Sequence, residues 1–268
     1  MNITRKFVFV HIPKTGGTFV AQVLRDLYTP AWLRPIFWRK VYFRLTNTFL
    51  AKTGLPAPHV ELDKHALCRE IPAHYTHLPI VSCMRNPFDW YVSNYRFQYW
   101  KREPDHYPGL KDDPRWPDLS FDDFMYLSNH IWTRSLNPGL NVNPNLGRLT
   151  TIFIQFFCRN PERILTEPGT PEQVLEKVKA NLYPIQFLET SRLNDDLVAL
   201  LLKYGYSEHQ IAFVRTLPPI SPPGARKPED RWERFYSSAL MDEVRERDAI
   251  LFRLFPQYEL YARKHLSH

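Results

Sequence analysis

Residues 11–18, His-Ile-Pro-Lys-Thr-Gly-Gly-Thr, combine a lysine, two threonine hydroxyls and a pair of glycines. They lie between a β-prone run at residues 7–12 and a segment, residues 18–27, whose apolar side chains recur on one helical face. A loop that opens a helix offers backbone N–H groups and the positive end of the helix dipole, and both attract anions. The segment therefore predicts an anion site, formed by Lys14, Thr15, Gly16, Gly17 and Thr18.

The order of residues in this loop distinguishes it from the phosphate loop of nucleoside triphosphatases. There the lysine follows the glycines, whereas Lys14 precedes Gly16 and Gly17. An ordinary tight turn that contains a lysine is the competing interpretation of the loop taken alone.

A second group of polar side chains follows a buried strand predicted over residues 78–84. Arg85 stands where the strand ends, Asn86 can cap a helix, Pro87 suits the first helical position, and Ser93 lies further along that helix. Ligands of open α/β sheets bind at the carboxyl ends of the strands. Since arginine can hold a phosphate through two parallel hydrogen bonds and serine can add another, Arg85 and Ser93 predict a second anion site. A nucleoside with phosphate groups at both ends would need two such sites.

Strand and helix patterns alternate along most of the chain. This order predicts an α/β fold with a largely parallel sheet, in one domain spanning residues 1–268. Residues 103–119, 135–147 and 217–230 are predicted to form long surface loops. The remaining strands are predicted at residues 151–157 and 185–188, and the remaining helices at residues 170–182, 194–204 and 238–255.

Composition restricts the class of protein. The 268 residues are 44% hydrophobic, enough for a substantial core, and no apolar run reaches the length of a membrane span. The formal charge of +7 favours anionic partners, but no nucleic-acid-binding motif accompanies it. Three widely spaced cysteines indicate neither a disulfide framework nor a zinc site, which fits a cytoplasmic compartment. A Golgi-type enzyme trimmed of its anchor stays open as the alternative.

Residues 11–18 resemble the 5′-phosphosulfate loop of the sulfotransferase family that includes heparan sulfate 2-O- and 6-O-sulfotransferases and bacterial relatives. Residues 85–95 resemble that family's 3′-phosphate motif, and weaker similarity covers residues 188–193 and 236–255. The resemblance implies a P-loop-like three-layer sandwich with a central, mostly parallel sheet flanked by helices. It also implies the donor 3′-phosphoadenosine-5′-phosphosulfate (PAPS), with the 5′ end on residues 14–18 and the 3′-phosphate on Arg85 and Ser93.

Sulfuryl transfer needs a cation for the leaving phosphate and a base for the acceptor proton, and it needs no metal. Lys14 is suited to the first role. Histidine is suited to the second, and residues 64–70 resemble the family segment that carries the catalytic histidine, which favours His65. His59 ranks second. Weaker alternatives are the carboxylates Glu61, Asp63 and Glu70, while His74 and His77 form only a weak metal-ligand pattern.

Two further segments could contact ligands. Ser221, Arg226 and Lys227, in the proline-rich loop at residues 217–230, are candidates for phosphate contact because related enzymes close a segment over the donor there. A solvated basic loop is the alternative. Residues 32–49 interleave aromatic and basic side chains, which is typical of a helix packed on the domain or of a basic amphipathic helix that faces an acidic acceptor or a membrane surface.

The combined interpretation is an enzyme that transfers the sulfuryl group of PAPS to a hydroxyl of a carbohydrate or small molecule. It requires no nucleic-acid partner and no stable membrane insertion. Two rivals remain: a nucleotide phosphotransferase that depends on Mg²⁺, and a polyanion-binding module without turnover.

Overall fold

The computed structural model describes residues 1–29, 59–135, 139–218 and 231–260. The chain divides into two compact units, each built from two stretches of sequence. The first unit comprises Met1–Met84 and Tyr183–Ile220, and the second comprises Arg85–Leu182 and Ser221–His268. The single domain inferred from the sequence stays a prediction. Within the described ranges, no helix has the length and apolar character of a membrane span.

Five strands and a larger set of helices make up the described secondary structure. The strands are β1 (Asn2–Thr4), β2 (Val8–Phe9), β3 (His59–Glu61), β4 (Ile80–Met84) and β5 (Ile185–Glu189). The helices are α1 (Gly17–Tyr28), α2 (Pro87–Phe97), α3 (Tyr99–Arg102), α4 (Phe121–Tyr126), α5 (Arg148–Phe157), α6 (Pro161–Thr166), α7 (Pro171–Asn181), α8 (Leu193–Lys203), α9 (Glu208–Thr216), α10 (Ser238–Arg247) and α11 (Ala249–Leu254). A π-helical turn, Leu127–Trp132, follows α4 and continues into one α-turn, Thr133–Ser135. Short 3₁₀ turns occur at Cys68–Glu70, Ala73–Tyr75, Pro104–His106, Thr190–Arg192 and Trp232–Phe235.

The sheet belongs to the first unit and has the strand order β3-β1-β2-β4-β5. β4 pairs in parallel with both β2 and β5, so that Val8 lies opposite Ile80, and Ile80 opposite Ile185. β1 pairs antiparallel with β2 and with β3. The prediction of an α/β fold with a central sheet flanked by helices is confirmed. The parallel strands β2, β4 and β5 lie where the sequence predicted strands. The antiparallel edge was not predicted.

A hydrophobic core in the first unit positions the loop that follows β2. The helical face predicted for residues 18–27 is buried in this core, as Phe19, Val20, Val23 and Leu24 of α1. These side chains belong to one cluster with Phe9 of β2, residues of β4 and residues of α8 and α9. Because both ends of the loop are anchored in this cluster, its backbone has a defined conformation.

The start of α2, in the second unit, follows the sequence prediction. Pro87 is the first helical residue, and the side-chain oxygen of Asn86 accepts a hydrogen bond of 3.0 Å from the N–H of Phe88. The predicted capping box at Thr170 also forms, since the Thr170 hydroxyl accepts from the N–H of Gln173. These helices begin where local side chains can satisfy their first N–H groups.

The strand predicted at residues 151–157 is wrong, because this apolar run forms most of α5. The N–H of Arg148 donates to Asn129 Oδ1 at 3.1 Å, and the N–H of Thr150 donates to Asp248 Oδ1 at 2.9 Å. These capping partners lie 19 and 98 positions away along the chain. Side chains distant in sequence therefore favour the helix, although the run itself is rich in β-branched and aromatic residues.

Asp248 also divides the single helix predicted at residues 238–255 into α10 and α11. Its side chain is fully buried, and its carboxylate accepts from the Thr150 hydroxyl at 2.7 Å and the Tyr91 hydroxyl at 2.9 Å. A Cβ on Gly147 would lie 2.5 Å from Asp248 Oδ1, so glycine is required there. The helix is interrupted where this carboxylate turns inward to cap α5.

Candidate functional site

The loop between β2 and α1 has a backbone suited to an anion. Lys14 and Gly16 have φ values of 66° and 92°, both in the left-handed region, and the intervening Thr15 does not. A backbone that alternates in handedness turns successive N–H groups toward one side and forms an anion-binding concavity. Gly16 also precedes the first residue of α1 and supplies no side-chain cap, and no acidic residue lies in the first turn. The N–H groups of Gly17 and Thr18 are thus available to a ligand, whereas that of Phe19 bonds the Gly16 carbonyl.

The two threonines of the loop differ in position. Thr15 is fully buried, and its hydroxyl donates to the carbonyl of Ile12 at 3.0 Å, so its side chain stabilises the turn. Thr18 is exposed in the first turn of α1. Of the two hydroxyls, that of Thr18 is the one open to a ligand.

Gly17 is required by close packing within the loop. A Cβ at this position would lie 2.0 Å from Cδ2 of His11, whose imidazole is almost completely buried. The glycine pair therefore serves two purposes: Gly16 adopts a left-handed conformation, and Gly17 admits the His11 ring against the helix start.

Replacing Gly17 by alanine is expected to destabilise the protein by about 1–3 kcal/mol, the usual cost of forcing extra volume into a packed site. Alanine normally stabilises a helical glycine position by roughly 0.5–1 kcal/mol, so the sign of the change is diagnostic. Urea unfolding measures it. In a His11→Ala background, which removes the obstructing ring, the cost of Gly17→Ala should shrink; an unchanged cost would contradict this packing argument.

Thr190 connects the loop to the sheet, a role that the sequence alone did not predict. Its Oγ1 lies 2.7 Å from the Thr15 carbonyl and 2.8 Å from the Met84 carbonyl. A single hydroxyl hydrogen is shared between these two acceptors, which ties the loop to the end of β4. The only signal in the sequence was the weak family similarity over residues 188–193.

His65 lies beside the loop, in the same unit. Its Nδ1 is 3.1 Å from the carbonyl oxygen of His11. Since a carbonyl can only accept, Nδ1 carries the hydrogen, and Nε2 holds the lone pair that can take a proton. The residue as a whole is exposed, but partial burial of its imidazole lowers its pKa, which keeps it neutral near neutral pH.

The other candidates for the base have structural partners. His59 is buried, its Nε2 lies 3.0 Å from Asn2 Oδ1, and its ring stacks on Tyr28. The three carboxylates also bond nearby groups: Glu61 pairs with Arg25, Asp63 accepts from the His65 N–H, and Glu70 accepts from the Leu67 N–H.

Arg85 and Ser93 lie in the second unit. Arg85 Nε donates to Asp89 Oδ2 at 2.6 Å, and both side chains are largely buried. Burial raises the pKa of Asp89. Ser93 is buried two helical turns beyond Arg85. The sequence identified the arginine but not its carboxylate partner, which follows at the i,i+4 spacing of a helical ion pair.

Several predicted contacts lie outside the described residues. Ser221, Arg226 and Lys227 fall in the range 219–230, and the basic aromatic segment at 32–49 falls in the range 30–58. His74 and His77 are exposed. Within the ranges that the structure describes, no three His, Cys, Asp or Glu side chains cluster as metal ligands would.

Two buried histidines predict how stability depends on pH. Burial lowers the pKa of His11 to about 3 and that of His59 to about 4. Both are neutral in the folded protein, whereas the unfolded chain binds protons below about pH 6.5. Their contribution to the free energy of unfolding is therefore complete above that pH. It is lost as the pH falls toward the pKa values that the two histidines have in the folded protein.

The free energy of unfolding should fall by about 2–4 kcal/mol between pH 7 and pH 5. Urea midpoints at the two pH values test this. A His59→Gln variant, which loses one titrating group, should show about half the decrease. An equal decrease in the variant would exclude His59 as a source.

Comparison with known proteins adds independent findings. A family model described as the sulfotransferase family matches residues 1–166. No curated protein matches the chain. Among solved structures, mouse sulfotransferase SULT7A1 complexed with PAP is similar to 98% of this chain and 89% of its own, with 13% sequence identity and a TM-score of 0.46.

Proposed function

The chain belongs to the sulfotransferase family, enzymes that use PAPS as the sulfuryl donor, and we propose that it sulfates a hydroxyl of a carbohydrate or small-molecule acceptor. The transfer is an in-line displacement that releases adenosine 3′,5′-bisphosphate. In this proposal residues 1–268 act as one sulfotransferase domain.

One observation carries the proposal most directly: the hydrogen bond from His65 to the carbonyl of His11. His11 is the first residue of the segment that forms the anion loop. The bond therefore holds a proton acceptor, His65 Nε2, in the same unit as the backbone concavity of residues 14–18. Sulfuryl transfer needs these two elements together, an anion site for the donor and a base for the acceptor.

The proposed steps involve two side chains. His65 Nε2 takes the proton of the acceptor hydroxyl as its oxygen forms a bond to sulfur. The bond between sulfur and the bridging oxygen of the 5′-phosphate breaks, and the negative charge passes to that phosphate. Lys14 neutralises this charge, as does the N-terminal end of α1.

In this proposal each end of the donor binds to a different one of the two sequence motifs. Residues 14–18 hold the 5′ phosphosulfate end, and Arg85 and Ser93 hold the 3′-phosphate. Ser221, Arg226 and Lys227 add contacts from the loop at residues 217–230. We also keep the cytoplasmic compartment as part of the proposal, supported by the buried cysteines Cys68, Cys83 and Cys158, which form no disulfide.

A screen of hydroxylated acceptors with labelled PAPS tests the proposal. Mass spectrometry should detect one acceptor class that gains a sulfuryl group, together with stoichiometric adenosine 3′,5′-bisphosphate. The same screen with ATP and Mg²⁺ is the matched control. Phosphorylated products in the control would favour a phosphotransferase, and donor binding without transfer to any acceptor would favour a polyanion-binding module.

A further inference from the structure

Arg148, in the second unit, is half-buried, and no described residue neutralises its positive charge. Its Nη1 atom is buried, and within the described part of the chain it has no hydrogen-bond partner. No ion pair joins the guanidinium to a described carboxylate. Its neighbours are aromatic: the guanidinium carbon lies 5.8 Å from the centre of the Tyr107 ring, and Tyr91 is the other group that acts on its charge.

A buried carboxylate in the same unit, Asp248, is engaged by other groups. Asp248 accepts hydrogen bonds from the Thr150 N–H, the Thr150 hydroxyl and the Tyr91 hydroxyl. It thereby caps the start of α5, whose first N–H, that of Arg148, bonds Asn129. The helix terminus is satisfied by these side chains, and the guanidinium is left without a countercharge.

An arginine in this state is energetically costly. Removing a cation from water costs several kcal/mol, and an arginine cannot deprotonate to avoid the cost. Burial lowers the pKa of Arg148, the direction expected for a charge that lacks compensation. An anion that supplies the missing charge would recover part of this energy.

A residue that contacts Arg148 also has a buried polar atom without a described partner. Asn129, whose Oδ1 accepts from the Arg148 N–H, has its Nδ2 buried with no partner among the described residues. The same holds for the hydroxyl of the preceding Ser128. Both belong to the π-helical turn Leu127–Trp132, a local geometry that is frequent at functional sites. An amide NH₂ and a guanidinium are hydrogen-bond donors, so the complementary ligand is an acceptor with several oxygens.

We propose that Arg148, assisted by the Asn129 amide, binds an oxyanion: a carboxylate, sulfate or phosphate group. This site is separate in sequence from the loop at residues 14–18 and does not depend on the proposed reaction. The oxyanion is either a free ion or a group carried on a larger molecule such as a sugar.

Calorimetric titration of three proteins tests the site: the parent, Arg148→Met and Arg163→Met. Arg163 is the matched control, because its side chain is 78% exposed and pairs with Glu167 at the surface. Residues 14–18 are intact in all three, so any anion bound there contributes equally. The probes are sodium sulfate, methyl β-D-glucuronide and neutral methyl β-D-glucoside, at an ionic strength kept constant with sodium chloride.

Sulfate, the glucuronide or both should bind the parent and Arg163→Met at least about tenfold more tightly than Arg148→Met, and the glucoside should not discriminate. Tighter binding of the glucuronide would show that the site takes an oxyanion attached to a sugar. Tighter binding of sulfate would show that it takes a free ion. Without added oxyanion, Arg148→Met should be at least as stable as the parent, since it removes an uncompensated charge. Equal binding of both anions by Arg148→Met and Arg163→Met would overturn the proposal. If Arg148→Met does not fold, Arg148→Lys, which loses the paired donors but keeps the charge, should show the same weakened binding.

Discussion

Replacement of His65 by alanine should lower kcat by about 10²- to 10⁴-fold, the range that a positioned general base contributes. The affinity for adenosine 3′,5′-bisphosphate should change little, because the His65 side chain contacts this segment at His11, through the carbonyl and the ring. Single-turnover transfer and calorimetric titration measure the two quantities. A loss confined to kcat is the signature of a group that acts on the acceptor proton.

His77→Ala is the matched control, since His77 is exposed and lies outside the proposed machinery. It should retain full activity. The pH profile adds a second test. Because desolvation lowers the pKa of His65, the base should remain neutral, and transfer should persist, at a lower pH than for an ordinary histidine. Full activity of His65→Ala would contradict the assignment of His65 as the base.

Lys14→Ala should lower kcat by about 10²- to 10³-fold, which is the usual loss when one charge-stabilising group is removed from a transition state. Lys14→Arg should retain more activity than the alanine variant, because it keeps the positive charge with a different shape. The measurement is transfer under donor saturation, which separates the rate of the chemical step from donor affinity.

The backbone of Lys14 provides a control for folding. A lysine with φ of 66° pays roughly 1–2 kcal/mol for its left-handed conformation, and glycine does not. Lys14→Gly should therefore be more stable than Lys14→Ala while losing as much activity. If the glycine variant kept its activity, the ammonium group would have no role in the reaction.

Local chemistry explains which parts of the fold could be predicted from the sequence. The turn into α1, the cap at Asn86 and the capping box at Thr170 depend on residues within a few positions of one another. The strands β4 and β5 are short apolar runs bounded by clear turn signals. Each of these elements can be recognised from neighbours in the sequence.

The parts that were missed depend on partners far away in the chain. α5 is capped by Asn129 and Asp248, and nothing in residues 151–157 records those contacts. Thr190 acquires its position only when β5 lies beside β4. Within the site, the motif was enough to indicate His65. Its tautomer, with the lone pair on Nε2, could be assigned only from the contact of Nδ1 with the distant His11 carbonyl.

Calorimetric titration with adenosine 3′,5′-bisphosphate, adenosine 5′-monophosphate and ATP, each with and without Mg²⁺, tests the central claim most directly. The claim is that two anion sites bind a donor with phosphate at both ends of its nucleoside. The bisphosphate should bind at least about 100-fold more tightly than the monophosphate, because an arginine-phosphate contact is charge-assisted. Mg²⁺ should make no difference to this preference. Tighter binding of ATP that requires Mg²⁺, or equal binding of the bisphosphate and the monophosphate, would contradict the account.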